Sequence, residues 1–136
     1  MRDLEIAGYA SLFWTPDLGD DVAAAGAFAA SVAASLPGGV AMLHTHDPAA
    51  PVGVWDELDE DGRGLRARGR IRGDTAAGRL CQALARAGAL DGLSIGFRTR
   101  RSRRSGPLRV LSEVDLIEVS LVPRPLLPGA RFAPVI

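Results

Sequence analysis

Two segments with the composition of β-strands lie on either side of an Asp-Gly turn. Residues 51–58 and 64–71 carry apolar side chains interleaved with polar ones, and Asp59-Glu60-Asp61-Gly62 separates them. An Asp-Gly pair between two such segments is a strong short-range signal for a β-hairpin, because both residues tolerate the positive φ angles of a tight turn. Any fold for this chain must therefore contain an antiparallel hairpin at this place.

Further strand signals outnumber the helix signals. β-branched and aromatic residues with loose alternation predict strands at 4–13, 40–46, 90–99 and 108–122. The basic segment 100–106 separates the last two, so we predict a second hairpin with this segment as its loop. The tail 123–134 holds four prolines, which predicts an irregular surface segment rather than a central strand.

Two segments have the composition of helices. The Ala-rich residues 24–36 favour a helix that Pro37-Gly38-Gly39 ends. Asp74 or Thr75 can cap a second helix, which Gly88 is well placed to terminate. In that helix an apolar face is predicted from the helical spacing of Ala77, Leu80, Leu84 and Ala87.

Length and composition limit the organisation and compartment of the protein. With 136 residues, 47% of them hydrophobic, and no low-complexity linker, we expect a single domain, residues 1–136. Strands outnumber helices without regular βαβ alternation, which predicts the α+β class. Cys81 is the only cysteine and we see no secretory signal or stretch of roughly 20 apolar residues, so we expect a soluble cytoplasmic protein.

One serine lies in a glycine-flanked motif that has two interpretations. Residues 92–96 read Gly-Leu-Ser-Ile-Gly, the G-x-S-x-G pattern of a nucleophile elbow. That elbow needs a helix and a histidine after the serine, whereas both histidines precede Ser94. In a strand, Ser94 and Gly96 would instead point to one open face, where a peptide could approach. The alternative is an ordinary strand serine, with Gly96 as a bulge or a close-packing site.

A histidine and a carboxylate are candidates to act with this serine. His46 ends the predicted strand 40–46, where Pro48 forces a turn, so its imidazole can border a cleft and act as a base near neutral pH. Glu118 lies in an apolar run, and a buried carboxylate there needs a partner such as an imidazole N–H. An edge strand with Glu118 in water, or an ion pair with arginine, would also explain it. Glu113 and Asp115 are weaker candidates.

Several short motifs, taken in order, resemble the prohead maturation proteases of tailed phages. They comprise Gly8-Tyr9-Ala10-Ser11 with Phe13, Gly26-Ala27-Phe28, His46-Asp47 before Pro51-Val52-Gly53, Gly64-Leu65, Gly92-Leu93-Ser94-Ile95-Gly96-Phe97 and residues 113–122. The resemblance runs from about Leu4 to Ala133. Those proteases are similar to the herpesvirus assemblins, so it implies a mixed, mainly antiparallel β-barrel of about six to seven strands with surrounding helices.

The resemblance also implies a catalytic set and a setting. His46 would be the general base, Ser94 the nucleophile and Glu118 the group that orients the imidazole. His44 stands where a large aromatic residue is common and could compete with His46. Oxyanion donors would lie near Arg124 or Arg131. No cofactor or metal is implied.

By the same resemblance, the substrates would be the scaffolding segment of the major capsid protein precursor and the protease itself. Cleavage would take place in the bacterial cytoplasm, inside the assembling procapsid, and a homodimer or higher oligomer is expected. The Lys-free, Ala- and Arg-rich composition suggests a prophage or gene transfer agent as the origin.

Three other functions are compatible with some of the residues. A catalytically inactive, scaffold-like capsid assembly module could keep the same fold. A metal hydrolase could use His44 and His46 on one strand face together with Asp47 or Glu118. Nucleic acid could bind the arginines of residues 98–104. Zero net charge and the lack of interleaved aromatic residues argue against binding of nucleic acid. We also expect no association with a membrane.

Overall fold

The computed structural model describes residues 1–35 and 39–136. Within these residues there are eight strands and two helices. The strands are β1 Leu4–Leu12, β2 Asp21–Ala23, β3 Ala41–His44, β4 Asp47–Glu60, β5 Gly64–Ile71, β6 Gly92–Ser105, β7 Leu108–Val122 and β8 Phe132–Pro134; the helices are α1 Ala29–Ala34 and α2 Ala76–Arg86. Neither helix is long and apolar enough to cross a bilayer.

All eight strands belong to one curled sheet organised around β7. Along one edge β7 pairs antiparallel with β6, and along the other it pairs parallel with β3 and β2. From β3 the order continues through β4, β5, β1 and β8. A single bridge between Gly92 and Arg131 links β6 to the segment before β8 and helps to close the curl. The prediction of an α+β, mainly antiparallel barrel is confirmed.

The concave side of the sheet is filled by apolar side chains. Its fully buried large residues come from strands on all sides of the curl and from the segment before α1: Phe28, Ile6, Met42, Leu65, Ile71, Leu93 and Leu121. Burying an aliphatic or aromatic side chain of this size contributes roughly 1.5–3 kcal/mol each. The interior is therefore packed, and Ser94 of β6 and Ser120 of β7, which follow or precede core leucines on their strands, lie on the opposite, outer face.

The first predicted hairpin is confirmed, although Asp61 and Gly62 in its turn do not take the positive φ angles expected of them. β4 and β5 pair antiparallel up to Glu60 and Leu65. The Asp61 carboxylate accepts hydrogen bonds from the N–H groups of Arg63 (2.8 Å) and Gly64 (3.2 Å), so the acidic turn residue satisfies the backbone that it reverses.

The second hairpin differs from the prediction in where it turns. Residues 100–105, predicted as a loop, continue β6, and the chain reverses at Gly106, which has a φ of 59°, and Pro107. Arg, Ser and Thr side chains are tolerated in this strand because it lies at an edge of the sheet and is exposed from Arg98 onward. The loop interpretation was wrong because polarity alone does not exclude an edge strand.

The first helix is shorter than predicted. Residues 24–28 form a turn before α1, with Gly26 at a φ of 92°. The carboxylate of Glu60 accepts hydrogen bonds from the N–H groups of Gly26 and Phe28, with N···O distances of 2.8 Å. These bonds hold the turn in a non-helical form. The predicted end of the helix at residues 36–38 lies outside the described residues.

The second helix begins at its predicted cap but presents a different face. The Thr75 hydroxyl accepts from the Gly78 N–H at 3.0 Å. The buried residues are Gly78, Cys81, Gln82 and Ala85, whereas Leu80 of the predicted apolar face is 54% exposed. The Gln82 amide donates to the carbonyls of Arg2 and Ile71, each at 2.9 Å, so a fully satisfied polar side chain takes a core position.

The proline-rich tail is only partly irregular, so this prediction also needs correction. Ala130 and Phe132 are buried, and β8 adds to β1 through the pairs Ala7–Ala133 and Gly8–Phe132. A non-local pairing of three residues thus tethers the tail, which the local proline content could not indicate.

Candidate active site

Strand β7 carries two polar residues where both faces of the sheet are otherwise apolar. Glu118 is 7% exposed and Ser120 is fully buried. In register, Glu118 faces Gly96 and Ser120 faces Ser94 across the β6–β7 ladder. Because cross-strand partners share a face, these four residues lie on the same outer side of the sheet. The sequence interpretation of Glu118 as an exposed edge residue or an arginine partner is wrong.

His46 reaches this face from a tight turn rather than from a strand. His44 and Asp47 pair at the ends of β3 and β4, and the two residues between them, Thr45 and His46, have φ angles of 52° and 62°. Two consecutive positive φ angles are the signature of a two-residue type I′ hairpin turn. The turn therefore lies at residues 45–46, before the predicted position at Pro48.

Hydrogen bonds to β7 hold the strained turn in place. Thr45 N–H donates to the Leu121 carbonyl and His46 N–H to the Ser120 hydroxyl, each at 3.0 Å. A non-glycine residue in the left-handed region costs of order 1–3 kcal/mol, and a β-branched Thr is among the least suited to it. The strained conformation persists because these two hydrogen bonds fix the turn to β7. The turn in this conformation places the imidazole of His46 against Glu118.

The Glu118 carboxylate is satisfied by two different donors. Its Oε1 accepts from His46 Nδ1, and its Oε2 accepts from the Ser120 hydroxyl. The Ser120 hydroxyl in turn accepts from the His46 N–H, so one buried serine holds both the carboxylate and the backbone of the histidine. A buried carboxylate with charge-assisted hydrogen bonds on both oxygens avoids the penalty of an unpaired charge.

This contact determines the tautomer of the imidazole. An ionised carboxylate only accepts hydrogen bonds, so Nδ1 of His46 carries the proton that is shared with Glu118. In the neutral ring Nε2 then has a free lone pair and can act as a base. The side chain of His46 is 44% exposed, which leaves this nitrogen accessible from solvent.

Ser94 lies half-buried on β6 next to this network. It is opposite Ser120, and its hydroxyl makes no hydrogen bond to any other residue of the described chain. In particular, no hydrogen bond joins Ser94 to His46. His46 and Glu118 are therefore in direct contact. Ser94 lies on β6, the strand next to the one that carries Glu118, and is bonded to neither residue.

Gly96 provides the space that the carboxylate occupies. A β-carbon at this position would come 2.5 Å from Glu118 Oε1 and 2.8 Å from its Cγ. Any larger residue would therefore push the carboxylate away from His46. The glycine of the G-x-S-x-G motif is needed here for close packing, and not for a turn, because its φ is not positive.

A cleft opens beside Ser94 between β6, β1 and the segment after β7. It is lined mainly by apolar side chains, among them Ile95, Phe97, Leu111, Leu126 and Leu127. Its two acidic residues are already engaged, since Arg109 binds Asp21 at 2.8 and 2.9 Å and Asp17 accepts from the N–H groups of Gly19 and Asp21. The cleft therefore offers an apolar surface next to the serine.

The remaining candidates from the sequence lie in different environments. The metal-hydrolase hypothesis placed His44 and His46 on one strand face. This placement is wrong, because His44 ends β3 whereas His46 lies in the turn. The Arg131 guanidinium binds Asp91 (2.6 Å) and the Pro128 carbonyl (2.8 Å). Arg124 is exposed, and in the described part of the chain its guanidinium has no hydrogen-bond or ion-pair partner.

Sequence reasoning missed Ser120. The available signal was that Glu118 and Ser120 are the only polar residues between Leu116 and Val122. Their spacing of two places them on one strand face, so a shared role could have been inferred. The hydrogen bond to His46 could not, because it depends on a turn 74 residues away in the chain.

Comparison with known proteins identifies relatives of this chain. A family model described as the caudovirus prohead serine protease matches residues 1–135. The prohead protease of Enterobacteria phage HK97 is 36% identical over 91 residues, which cover 66% of this chain and 40% of that protein. The chain thus matches less than half the length of this curated relative.

A solved structure agrees with the fold. The protease of KSHV, crystallised with a hexapeptide phosphonate inhibitor, aligns with 99% of this chain and 66% of its own chain at a TM-score of 0.66 and 18% identity. The structural likeness concerns the fold, and the family assignment comes from the sequence match over nearly the whole chain. The chain therefore belongs to the caudovirus prohead serine protease family.

Proposed function

We propose that this chain is a serine endopeptidase in which His46, Ser94 and Glu118 form the catalytic set. The observation that carries the proposal is the contact of His46 Nδ1 with the buried Glu118 carboxylate, which leaves Nε2 free as a base on the side of the sheet that also holds Ser94. Membership of a family of serine proteases supports the same chemistry.

The proposed reaction is acyl transfer in two stages. Ser94 Oγ attacks the carbonyl carbon of a peptide bond, and His46 Nε2 takes the hydroxyl proton. The imidazolium, stabilised by Glu118, then gives that proton to the leaving amine as the C–N bond breaks. A water molecule attacks the acyl-enzyme ester, again with His46 as base, and releases Ser94.

The free protein has the base oriented and the nucleophile not yet bonded to it. Catalytic hydrogen bonds are often long in the absence of substrate and tighten in the substrate complex. In the substrate complex, His46 Nε2 would come within hydrogen-bond distance of Ser94 Oγ while Nδ1 stays bonded to Glu118. The apolar cleft beside Ser94 supports binding of a substrate side chain at the nucleophile.

Between the two oxyanion candidates from the sequence, the structure favours Arg124. Arg131 is already bound to Asp91 and Pro128, whereas Arg124 is not. Arg124 also lies between Pro123 and Pro125, and Pro125 packs so close to Gly92 that its Cδ would be 2.6 Å from a β-carbon there. This brings the segment after β7 against the start of β6, two residues before Ser94.

We further propose that the substrates are the scaffolding segment of the major capsid protein precursor and the protease itself, cut inside the assembling procapsid. The family description and the name of the HK97 relative support this setting. A homodimer or higher oligomer also belongs to this proposal. The inactive, scaffold-like alternative gains no support from the site, since all three proposed residues are present.

Co-expression with the capsid protein precursor tests the proposal. The unaltered chain should convert the precursor to a shorter product, and Ser94→Ala should abolish conversion. Ser105→Ala, at an exposed serine at the far end of the same strand, is the matched control and should leave conversion unchanged. Equal conversion with Ser94→Ala, or none with the unaltered folded chain, would contradict the assignment.

A further inference from the structure

The outer edge of β6 is long, exposed and unpaired. From Ser94 to Ser105 this strand pairs with β7 only, and within the described residues no other backbone group bonds to its outer edge. Twelve residues in an extended strand span about 36 Å. An edge of this kind presents a row of N–H and C=O groups that an added polypeptide strand could bond.

The same edge strand carries a cluster of five arginines between residues 98 and 104, and the part of β7 that faces them carries only two carboxylates, Glu113 and Asp115. Arg100 pairs with Asp115 at 2.8 Å. Arg98, Arg101, Arg103 and Arg104 are exposed and, within the described chain, none of them has a carboxylate partner. By contrast, the arginines of β5 pair with acidic residues of neighbouring strands, as Arg66 does with Asp59 and Arg70 with Asp56. The molecule is neutral overall, so this edge is a local excess of positive charge that acidic residues elsewhere in the chain balance.

The cluster is held on a firm support. Opposite it, β7 pairs with β2 through Asp21–Arg109, Val22–Val110 and Ala23–Leu111, and Val110 and Leu111 are buried. The arginine strand is thus the outer layer of a ribbon that is anchored in the body of the protein. Little backbone order would have to be gained when a ligand binds it.

We propose that the β6 edge from Arg98 to Arg104 binds an acidic, extended polypeptide segment of the substrate, at a distance from the cleaved bond. This rests on the proposed function, since β6 is the strand that carries Ser94. Arg98 lies four residues beyond Ser94, about 13 Å along the strand. The acidic residues of the bound substrate segment would therefore lie four or more positions away from the cleaved bond.

A polypeptide fits this edge better than a nucleic acid does. Main-chain hydrogen bonds along an open strand edge can be satisfied by another extended polypeptide, whereas a phosphate backbone supplies acceptors only. No aromatic residue lies among residues 98–107 for base stacking. The arginines can bind acidic side chains of the partner, and the open strand edge can form hydrogen bonds with its backbone. Together they favour an acidic peptide.

Binding of model peptides separates this proposal from the proteolytic one. The probes are fluorescein-labelled peptides of ten residues, alternating Glu and Thr or, as the neutral match, Gln and Thr, followed by fluorescence anisotropy with the full chain. The Glu peptide should bind about tenfold more tightly than the Gln peptide and weaken with added salt. R101Q/R103Q should lose about fivefold in affinity for it. R2Q/R79Q removes two exposed arginines elsewhere and should change nothing.

A kinetic measurement connects the edge with the substrate. R101Q/R103Q should raise KM for cleavage of the capsid protein precursor and leave kcat unchanged. If the precursor is not cleaved at all, the proteolytic function fails, while the anisotropy result still reports on the edge. Equal binding of both peptides, an unchanged KM, or tighter arginine-dependent binding of a ten-nucleotide single-stranded DNA would overturn the proposal. If R101Q/R103Q aggregates but keeps its affinity for the Glu peptide, the arginines serve only to prevent aggregation through the open strand edge. That result would also overturn the proposal.

Discussion

The carboxylate of Glu118 occupies the space where a side chain at position 96 would begin. Gly96 and Glu118 are register partners on β6 and β7, and a β-carbon on Gly96 would lie 2.5 Å from Glu118 Oε1. The residue two positions after the proposed nucleophile therefore controls the position of the group that orients the proposed base.

Gly96→Ala is expected to impair cleavage without unfolding the protein. The new methyl group displaces the carboxylate from His46, so kcat for precursor cleavage should fall at least about tenfold, while overpacking costs about 1–3 kcal/mol of stability. Gly62→Ala is the control, because a β-carbon there meets nothing within 4 Å. Equal loss of activity in both variants would show that the Gly96 contact has no special role.

Ser120→Ala should lower both stability and activity. The substitution leaves the His46 N–H and Glu118 Oε2 without their shared partner, which costs about 1–3 kcal/mol in the free energy of unfolding. Chemical denaturation measures this cost, and a cleavage assay measures the effect of the released turn. Ser105→Ala, at an exposed serine whose side chain makes no hydrogen bond within the described chain, should change neither quantity. Wild-type stability of Ser120→Ala would contradict the hydrogen-bond network.

Thr45→Asn should stabilise the fold. Asn tolerates the left-handed conformation better than a β-branched residue does, so relief of strain at a φ of 52° is expected to add about 1 kcal/mol. The measurement is the thermal unfolding midpoint compared with Thr15→Asn, a substitution outside the turn. A lower midpoint for Thr45→Asn would mean that the turn does not store strain.

Cys81 is expected to be inert in the folded protein. It is fully buried, and burial raises the pKa of its thiol, so the reactive thiolate is disfavoured. Iodoacetamide at neutral pH should therefore neither label Cys81 nor reduce cleavage, whereas denatured protein should be labelled. Inactivation of the folded protein by this reagent would point to a cysteine in the reaction and contradict Ser94 as the nucleophile.

The elements predicted well from the sequence are those whose signals are local. The Asp-Gly hairpin and the Thr75 cap follow from the chemistry of a few neighbouring residues. The face of α2 was mispredicted, because Gln82 becomes a core residue only when the carbonyls of Arg2 and Ile71 are brought to it. Strand β8 likewise depends on pairing with a strand more than 120 residues earlier.

The candidate site was predictable to a similar extent. A lone carboxylate in the apolar run 116–122 indicated that Glu118 needs a buried partner, and the structure supplies His46 and Ser120. The position of His46 in a strained turn could not be predicted, because the β-branched Thr45 rarely takes a positive φ. That conformation is imposed by hydrogen bonds from β7, which no local pattern records.

Labelling with a fluorophosphonate probe, followed by mass-spectrometric mapping of the modified residue, tests the central claim most directly. The account predicts modification of Ser94 in the unaltered chain. It predicts loss of labelling in His46→Ala, and in Glu118→Gln a rate lower by at least about a hundredfold, with both variants folded. Modification of a different serine, or labelling of Ser94 at an unchanged rate in His46→Ala, would contradict it.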